Sequence, residues 1–249
     1  GMVTNALYLT PQKFNDLLNA GLHTMTISMD GLGDEHNWMR GNKHSFEMVS
    51  QAIDLLVSHP EIKFDILTCV NRRNYPHLDA IRQFLIDKGV KNWRVVAVFP
   101  VGRAASDPDM HLAAEEYKGI LEFIKQTRKE GRIACSYGCE GFMGNFEGDI
   151  RNTFYGCHAG VTVGSVLVDG SISACASIRS NYHQGNIYQD DFMDIWQHRF
   201  LPYRNREWMR KGECAECRYF RYCQGSGMHL RDDEGNLIMC PLHRLHVLQ

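Results

Sequence analysis

Along the first 130 residues, short apolar runs rich in β-branched side chains alternate with segments whose apolar positions recur at steps of three and four. Residues 3–9, 23–29, 62–70 and 93–99 carry the strand pattern. Between and after them, residues 11–20, 45–58, 76–88 and 113–130 carry the helix pattern, with Phe46, Val49, Ile53 and Leu56 as one apolar stripe. Punctuation agrees: Thr10 before Pro11 is a cap followed by proline in the first turn, and Gly21 and Gly89 close their helices. Repeated strand-helix units imply an α/β fold with a parallel sheet and right-handed crossovers. Four strands are too few to close an eight-stranded barrel, so the sheet is expected to be open or part of a larger one.

After Gly131 the alternation stops. Residues 161–168 and 171–175 flank Asp169-Gly170, a two-residue hairpin turn, and residues 190–200 predict a short helix with Phe192, Ile195, Trp196 and Phe200 on its apolar side. This change of pattern predicts two domains, 1–130 and 131–249, with the glycines of 138–148 as loop markers.

A formal charge of -2 over 249 residues leaves no basic surface for nucleic acid, and Arg204, Arg206, Arg210 and Lys211 read as a solvated face. No apolar run approaches the roughly 18 residues needed to span a bilayer, and no basic, apolar and cleavable leader opens the chain. A cytoplasmic protein is expected.

Cysteine changes the picture. Only Cys69 precedes residue 130, whereas Cys135, Cys139, Cys157, Cys175, Cys214, Cys217, Cys223 and Cys240 follow it. Without a secretion signal, such crowding points to metal or redox chemistry and away from disulfides. Cys214-x2-Cys217-x5-Cys223-x16-Cys240 suits one metal centre: the close pair supplies two sulfurs and later loops return the third and fourth. The spacing alone leaves zinc and an iron-sulfur cluster both open.

Upstream stands Cys157-x12-Gly170-x4-Cys175. Taken together these cysteines resemble the SPASM domain that extends radical S-adenosylmethionine (SAM) enzymes, with one departure, Gly227, where that pattern has a cysteine. The resemblance implies that Cys214, Cys217, Cys223 and Cys240 hold one auxiliary 4Fe-4S cluster. It leaves a second open at Cys157 and Cys175, with Cys135, Cys139, His158 or His229 as sources of further ligands. The N-terminal half is similar to the later strands of the radical SAM half-barrel. Thr4-Asn5, Ser28-Met29-Asp30-Gly31 with His36 and Arg40-Gly41, Thr68-Cys69-Val70-Asn71 and Phe99-Pro100-Val101-Gly102-Arg103-Ala104 stand at its strand ends. On that resemblance Ser28, Asp30 and Arg40 face the ribose or carboxylate of SAM, and Val70 and Phe99 approach its adenine.

The Cys-x3-Cys-x2-Cys motif of that family is absent. The chain is therefore expected to lack the first strands of the half-barrel, to make no radicals by itself, and to pair with another copy through the sheet edge near residues 3–9. The complete protein is expected to be a maturase-type oxidoreductase that acts on a peptide or small molecule and is supplied by an electron-donor protein. Ala176 follows Cys175 where the anaerobic sulfatase maturases carry Asp, which argues against that particular activity. The rival expectation is a non-enzymatic binding module stapled by zinc or iron-sulfur.

Overall fold

The computed structural model describes residues 1–138, 140–178 and 180–245. They fall into two units: Gly1–Gly138 with Gly148–Asn152, and the remainder. The first is a parallel five-stranded sheet whose spatial order repeats the chain order: β1 (Met2–Thr4), β2 (Thr24–Ser28), β3 (Lys63–Val70), β4 (Asn92–Ala97) and β5 (Ala134–Tyr137). Each crossover is helical: α1 (Pro11–Asn19), then α2 (Asp34–Arg40) with α3 (Ser45–Val57), then α4 (Leu78–Asp87), then the one-turn α5 (Arg103–Ser106) with α6 (Ala114–Glu130). Successive parallel strands joined this way build the wall of a (β/α) barrel. Of the expected stripe, Val49, Ile53 and Leu56 of α3 are fully buried and Phe46 is half-buried; Phe14 of α1 and Ile27, Ile66 and Val95 of the strands complete the core.

Two boundaries move. The first strand stops at Thr4, because Thr4 Oγ1 accepts the Ala6 N–H at 3.0 Å and Asn5 Oδ1 accepts that of Leu7 at 3.2 Å. These local bonds turn the chain out of the sheet, with Ala6 at φ 59°. At the other end, β5 lies beyond residue 130 yet completes the first sheet. Gly131 stops α6 in the left-handed conformation at φ 69°, and the chain turns straight into the strand.

The chain passes between units around the one-turn α7 (Glu147–Ile150). The second unit has little regular structure: a three-stranded antiparallel sheet of β6 (Ser165–Val166), β7 (Ser171–Ser173) and β8 (Gly185–Asn186), and the short helices α8 (Phe192–His198), α9 (Leu201–Arg204), α10 (Phe220–Cys223) and α11 (Pro241–Arg244). The hairpin turns at Asp169-Gly170 as expected. Gly170 is required there twice over: its φ is 83°, and a Cβ would stand 2.6 Å from Tyr188 Cε2 and 2.7 Å from Asn186 Oδ1. Trp196, Phe200 and Tyr203 pack in series, with ring centroids 5.0 and 4.9 Å apart, over a core that includes Ile172, Ala174, Ile195 and Met228. Among the described residues no helix is long and apolar enough to cross a membrane.

Candidate functional site

In the second unit, short turns hold the cysteines. Cys214 closes a 3₁₀ turn (Gly212–Cys214), Cys217 follows it, Cys223 ends α10 and Cys240 caps α11. Cys217 donates its N–H to Cys214 O at 3.4 Å, and Phe220 donates to Cys217 O at 3.0 Å, so the Cys-x2-Cys segment folds back on itself. All four cysteines line one small pocket, with Phe220, Leu237 and Leu242 as apolar walls and Glu213 and His243 also lining it. Among the described residues no three His, Cys, Asp or Glu side chains stand together as a ready site for a single metal ion.

The chemistry of this donor set favours a cationic occupant. Burial pushes the Cys240 thiol up to about 11 and raises that of Cys223, and the neighbouring cysteines add to both shifts. Thiols crowded this way resist ionisation until positive charge is supplied. Arg231, 1% exposed, brings some: its Nη2 lies 3.3 Å from Cys214 Sγ while Nη1 donates to Gly235 O at 2.9 Å. No disulfide competes for the sulfurs among the described residues.

Cys157 and Cys175 pack on the same apolar core beside this pocket. Cys175 O accepts from Ser173 Oγ at 3.2 Å and Ile178 N–H at 3.1 Å. Buried Arg206 fixes the other cysteine, donating from Nη2 to Cys157 O at 3.4 Å and from Nη1 to Ser226 O at 3.1 Å. Cys135 is a correction. It lies in β5 of the first sheet, 1% exposed, with its thiol pushed up to about 12 by burial, and serves as a core residue instead of an available ligand. Cys139, the other spare cysteine, lies outside the described residues.

In the first unit, the C-terminal strand ends form a polar lip. Asp30, just past β2, is 1% exposed. Its Oδ1 accepts the Cys69 N–H at 2.9 Å, and its Oδ2 lies 2.5 Å from Arg40 Nη2 at the end of α2. Asn74 Nδ2 ties Asp30 O at 2.6 Å to Cys69 O at 2.9 Å. The fully buried His36 accepts the Asp30 N–H on Nδ1 at 3.0 Å, which leaves the Nε2 proton for Ser45 Oγ at 3.0 Å. Burial, then the Arg40 charge, lowers His36 to about 4, so the ring is neutral. Burial raises Asp30 against the pull of Arg40.

Of the five residues expected around SAM, Ser28 and Phe99 are half-buried and Arg40 keeps 26% of its side chain exposed. Val70 is fully buried, and Asp30 is committed to Cys69 and Arg40. Beside them opens a cavity of about 380 Å³ whose walls include Trp38, Met39, Val98, Val101, Arg103 and Met110. Arg73 stacks 4.1 Å over the Trp38 ring. Met39 and Val98, the neighbours of the expected Arg40 and Phe99, line this cavity. The Trp38-Met39 pair carried no periodic signal, because only His36 is buried in α2.

Residues 157–219 match the SPASM iron-sulfur cluster-binding domain. The chain is 26% identical to the AdoMet-dependent heme synthase of Oleidesulfovibrio alaskensis, covering 92% of this chain and 65% of that protein. It is 28% identical to mycofactocin maturase MftC of Mycolicibacterium smegmatis, covering 90% and 57%. The fold matches native anSMEcpe, an anaerobic sulfatase maturase solved with bound AdoMet and Kp18Cys peptide, with a TM-score of 0.63 and 20% identity over 92% of this chain and 66% of that one. The chain thus spans less than two thirds of the length of these relatives.

Proposed function

From a chain that joins a radical SAM-type parallel sheet to a SPASM iron-sulfur cluster-binding domain, we propose that Cys214, Cys217, Cys223 and Cys240 hold a 4Fe-4S cluster in a SAM-dependent maturase acting on a peptide or small molecule. The observation that carries this reading is the convergence of those four cysteines on one pocket with a buried guanidinium at Cys214. A bound cluster supplies one-electron transfer. The chain's part is to exclude water with Phe220, Leu237 and Leu242, and to stabilise thiolate charge through Arg231. The iron-sulfur match, covering both hairpin cysteines and the Cys-x2-Cys pair, speaks against the zinc-stapled binding module.

For SAM, the Asp30–Arg40 pair presents a fixed guanidinium at the lip, suited to a carboxylate. The Trp38 and Val98 cavity beside it offers walls for a flat ring. Ser28, Val70 and Phe99 stand on the strand ends around this lip. A peptide substrate is supported by the peptide-bound structural neighbour, and a small-molecule one by the heme synthase relative. Free thiols suit a reducing, cytoplasmic setting with an electron-donor protein. The β1 edge, paired among the described residues with β2 alone, offers a place for a second chain to add.

Anaerobic reconstitution followed by iron, sulfide and zinc analysis tests the assignment. The expected result is iron with matching sulfide, and a Cys217→Ser variant that loses iron and thermal stability together. Zinc without sulfide, or unchanged iron in the variant, overturns it.

A further inference from the structure

Helix α10 divides its side chains between two surroundings. Phe220 and Cys223, three residues apart, both line the four-cysteine pocket. Tyr219, just before the helix, and Tyr222 go elsewhere, with their rings 6.3 and 6.0 Å from that of Phe142. Phe154 joins them, 5.4 Å from Phe142 and 6.3 Å from Tyr222. Phe142 is the buried floor of this group and belongs to the core on which Cys223 and Cys240 pack. Around it Phe154 keeps 59% of its surface exposed and Tyr222 43%. The sulfur-lined pocket thus has an exposed aromatic face beside it.

Two permanent cations rim that face. The Arg218 guanidinium stacks 4.9 Å over the Tyr219 ring, and that of Arg221 stacks 4.6 Å over Tyr222. Both arginines are exposed, and neither meets a carboxylate among the described residues. Within residues 214–223 only Glu216 opposes them, while Glu213 meets His243 Nδ1 at 3.0 Å. Stacking holds each guanidinium in place, so less freedom is lost when a partner binds. The whole chain carries a formal charge of -2, so the positive rim is a local departure that suits an acidic partner. A second copy meeting the same face about a two-fold axis would oppose arginine to arginine. A small aromatic centre inside a charged rim has the form of a transient interface, which a carrier needs in order to bind, react and leave.

We propose that Phe142, Phe154, Tyr219 and Tyr222, rimmed by Arg218 and Arg221, form the docking surface for an acidic flavin-carrying protein that exchanges single electrons with the four-cysteine site. This names a partner for the iron-sulfur reading and rests on it. The flat flavin ring suits an aromatic face, and carboxylates around that ring suit the two guanidinium groups. In the exchange one electron leaves the reduced cluster and enters the flavin, which takes a proton from water to become the neutral semiquinone. No other bond forms or breaks.

The test uses the full chain, reconstituted anaerobically, reduced, freed of excess reductant and mixed with oxidised flavodoxin in a stopped-flow instrument that follows cluster and semiquinone absorbance. For wild type the rate is expected to saturate with flavodoxin and to fall about tenfold as salt rises from roughly 0.05 to 0.5 M. Joint Arg218→Glu and Arg221→Glu should slow the exchange at least about tenfold and remove its salt dependence. Phe154→Ala should raise the half-saturating flavodoxin concentration several-fold and keep the salt dependence. Joint Lys118→Glu and Lys129→Glu, an equal change of charge at exposed positions of α6, should leave the rate as it is. Every variant should keep wild-type iron and wild-type oxidation by a small neutral quinone. An iron-loaded wild type that reacts with the quinone but shows no saturable, salt-dependent exchange with flavodoxin overturns the docking surface and leaves the cluster reading intact. So does an unchanged rate in the arginine and Phe154 variants, or an equal loss in the α6 control. A wild type that takes up no iron overturns the cluster reading, and this proposal with it.

Discussion

The buried guanidinium of Arg231 directs an N–H at Cys214 Sγ from 3.3 Å, so a sulfur of the four-cysteine pocket faces a permanent positive charge. Reduction adds negative charge to a cluster, and a nearby cation stabilises the reduced state. Arg231→Gln is therefore expected to lower the potential of the four-cysteine cluster by on the order of 50 mV, close to a tenfold change in a one-electron equilibrium. Iron content should be retained. Arg231→Lys, which keeps the charge, should fall between. EPR-monitored redox titration checks both; an unchanged or raised potential in the glutamine variant would show that the guanidinium only braces the loop.

His36 gives the first unit an acid-sensitive joint. Its folded value of about 4 lies below the unfolded value of about 6.5. Between those values the unfolded chain binds the extra proton, so the stabilisation is complete above pH 6.5 and fades as pH falls toward 4. The loss amounts to about 3 kcal/mol. Denaturant melts from pH 7 to 4 should show it, and His36→Gln should flatten that part of the profile.

Asp30 and Arg40 separate positioning from contact. Asp30→Asn keeps an acceptor for the Cys69 N–H but removes the charge that aims Arg40. The expected cost is about 2 kcal/mol, less than for a fully buried pair because Arg40 still reaches water. Arg40→Ala should cost less stability and weaken SAM binding at least as much. Calorimetric titration with SAM alongside thermal melts distinguishes the two; unchanged SAM binding in both variants would remove this lip from the SAM site.

This chain has no Cys-x3-Cys-x2-Cys segment. Reconstituted protein given dithionite and SAM is expected to release no 5′-deoxyadenosine, even with its auxiliary cysteines loaded. Chromatographic assay of that product checks the claim, and sustained turnover would refute it.

What could be read from the residues was what is local in sequence. Strands β2, β3 and β4 are rich in apolar and β-branched residues, and Cys214, Cys217 and Cys223 lie within ten residues of chain, so pattern and spacing exposed them. Strand β5 is four residues, Ala-Cys-Ser-Tyr, with only Cys135 and Tyr137 turned inward, too short for a periodic signal. Helix α2 buries only His36 and so lacks a stripe. Arg206, which reads from its basic neighbours as part of a solvated face, is buried, and Arg231 carried no usable pattern, because each acquires its part from residues brought close by folding: Cys157 to Arg206 and Cys214 to Arg231.

Because spatial order in the first sheet repeats chain order, every strand pairs with its immediate successor and no pairing leaps over another. Each strand-helix unit therefore closes only its own loop, a topology that keeps contacts sequential and assembly stepwise. A strand added along the outer side of β1 would leave the registers of β2 through β5 as they are, so this wall lends itself to being lengthened or shortened by whole units.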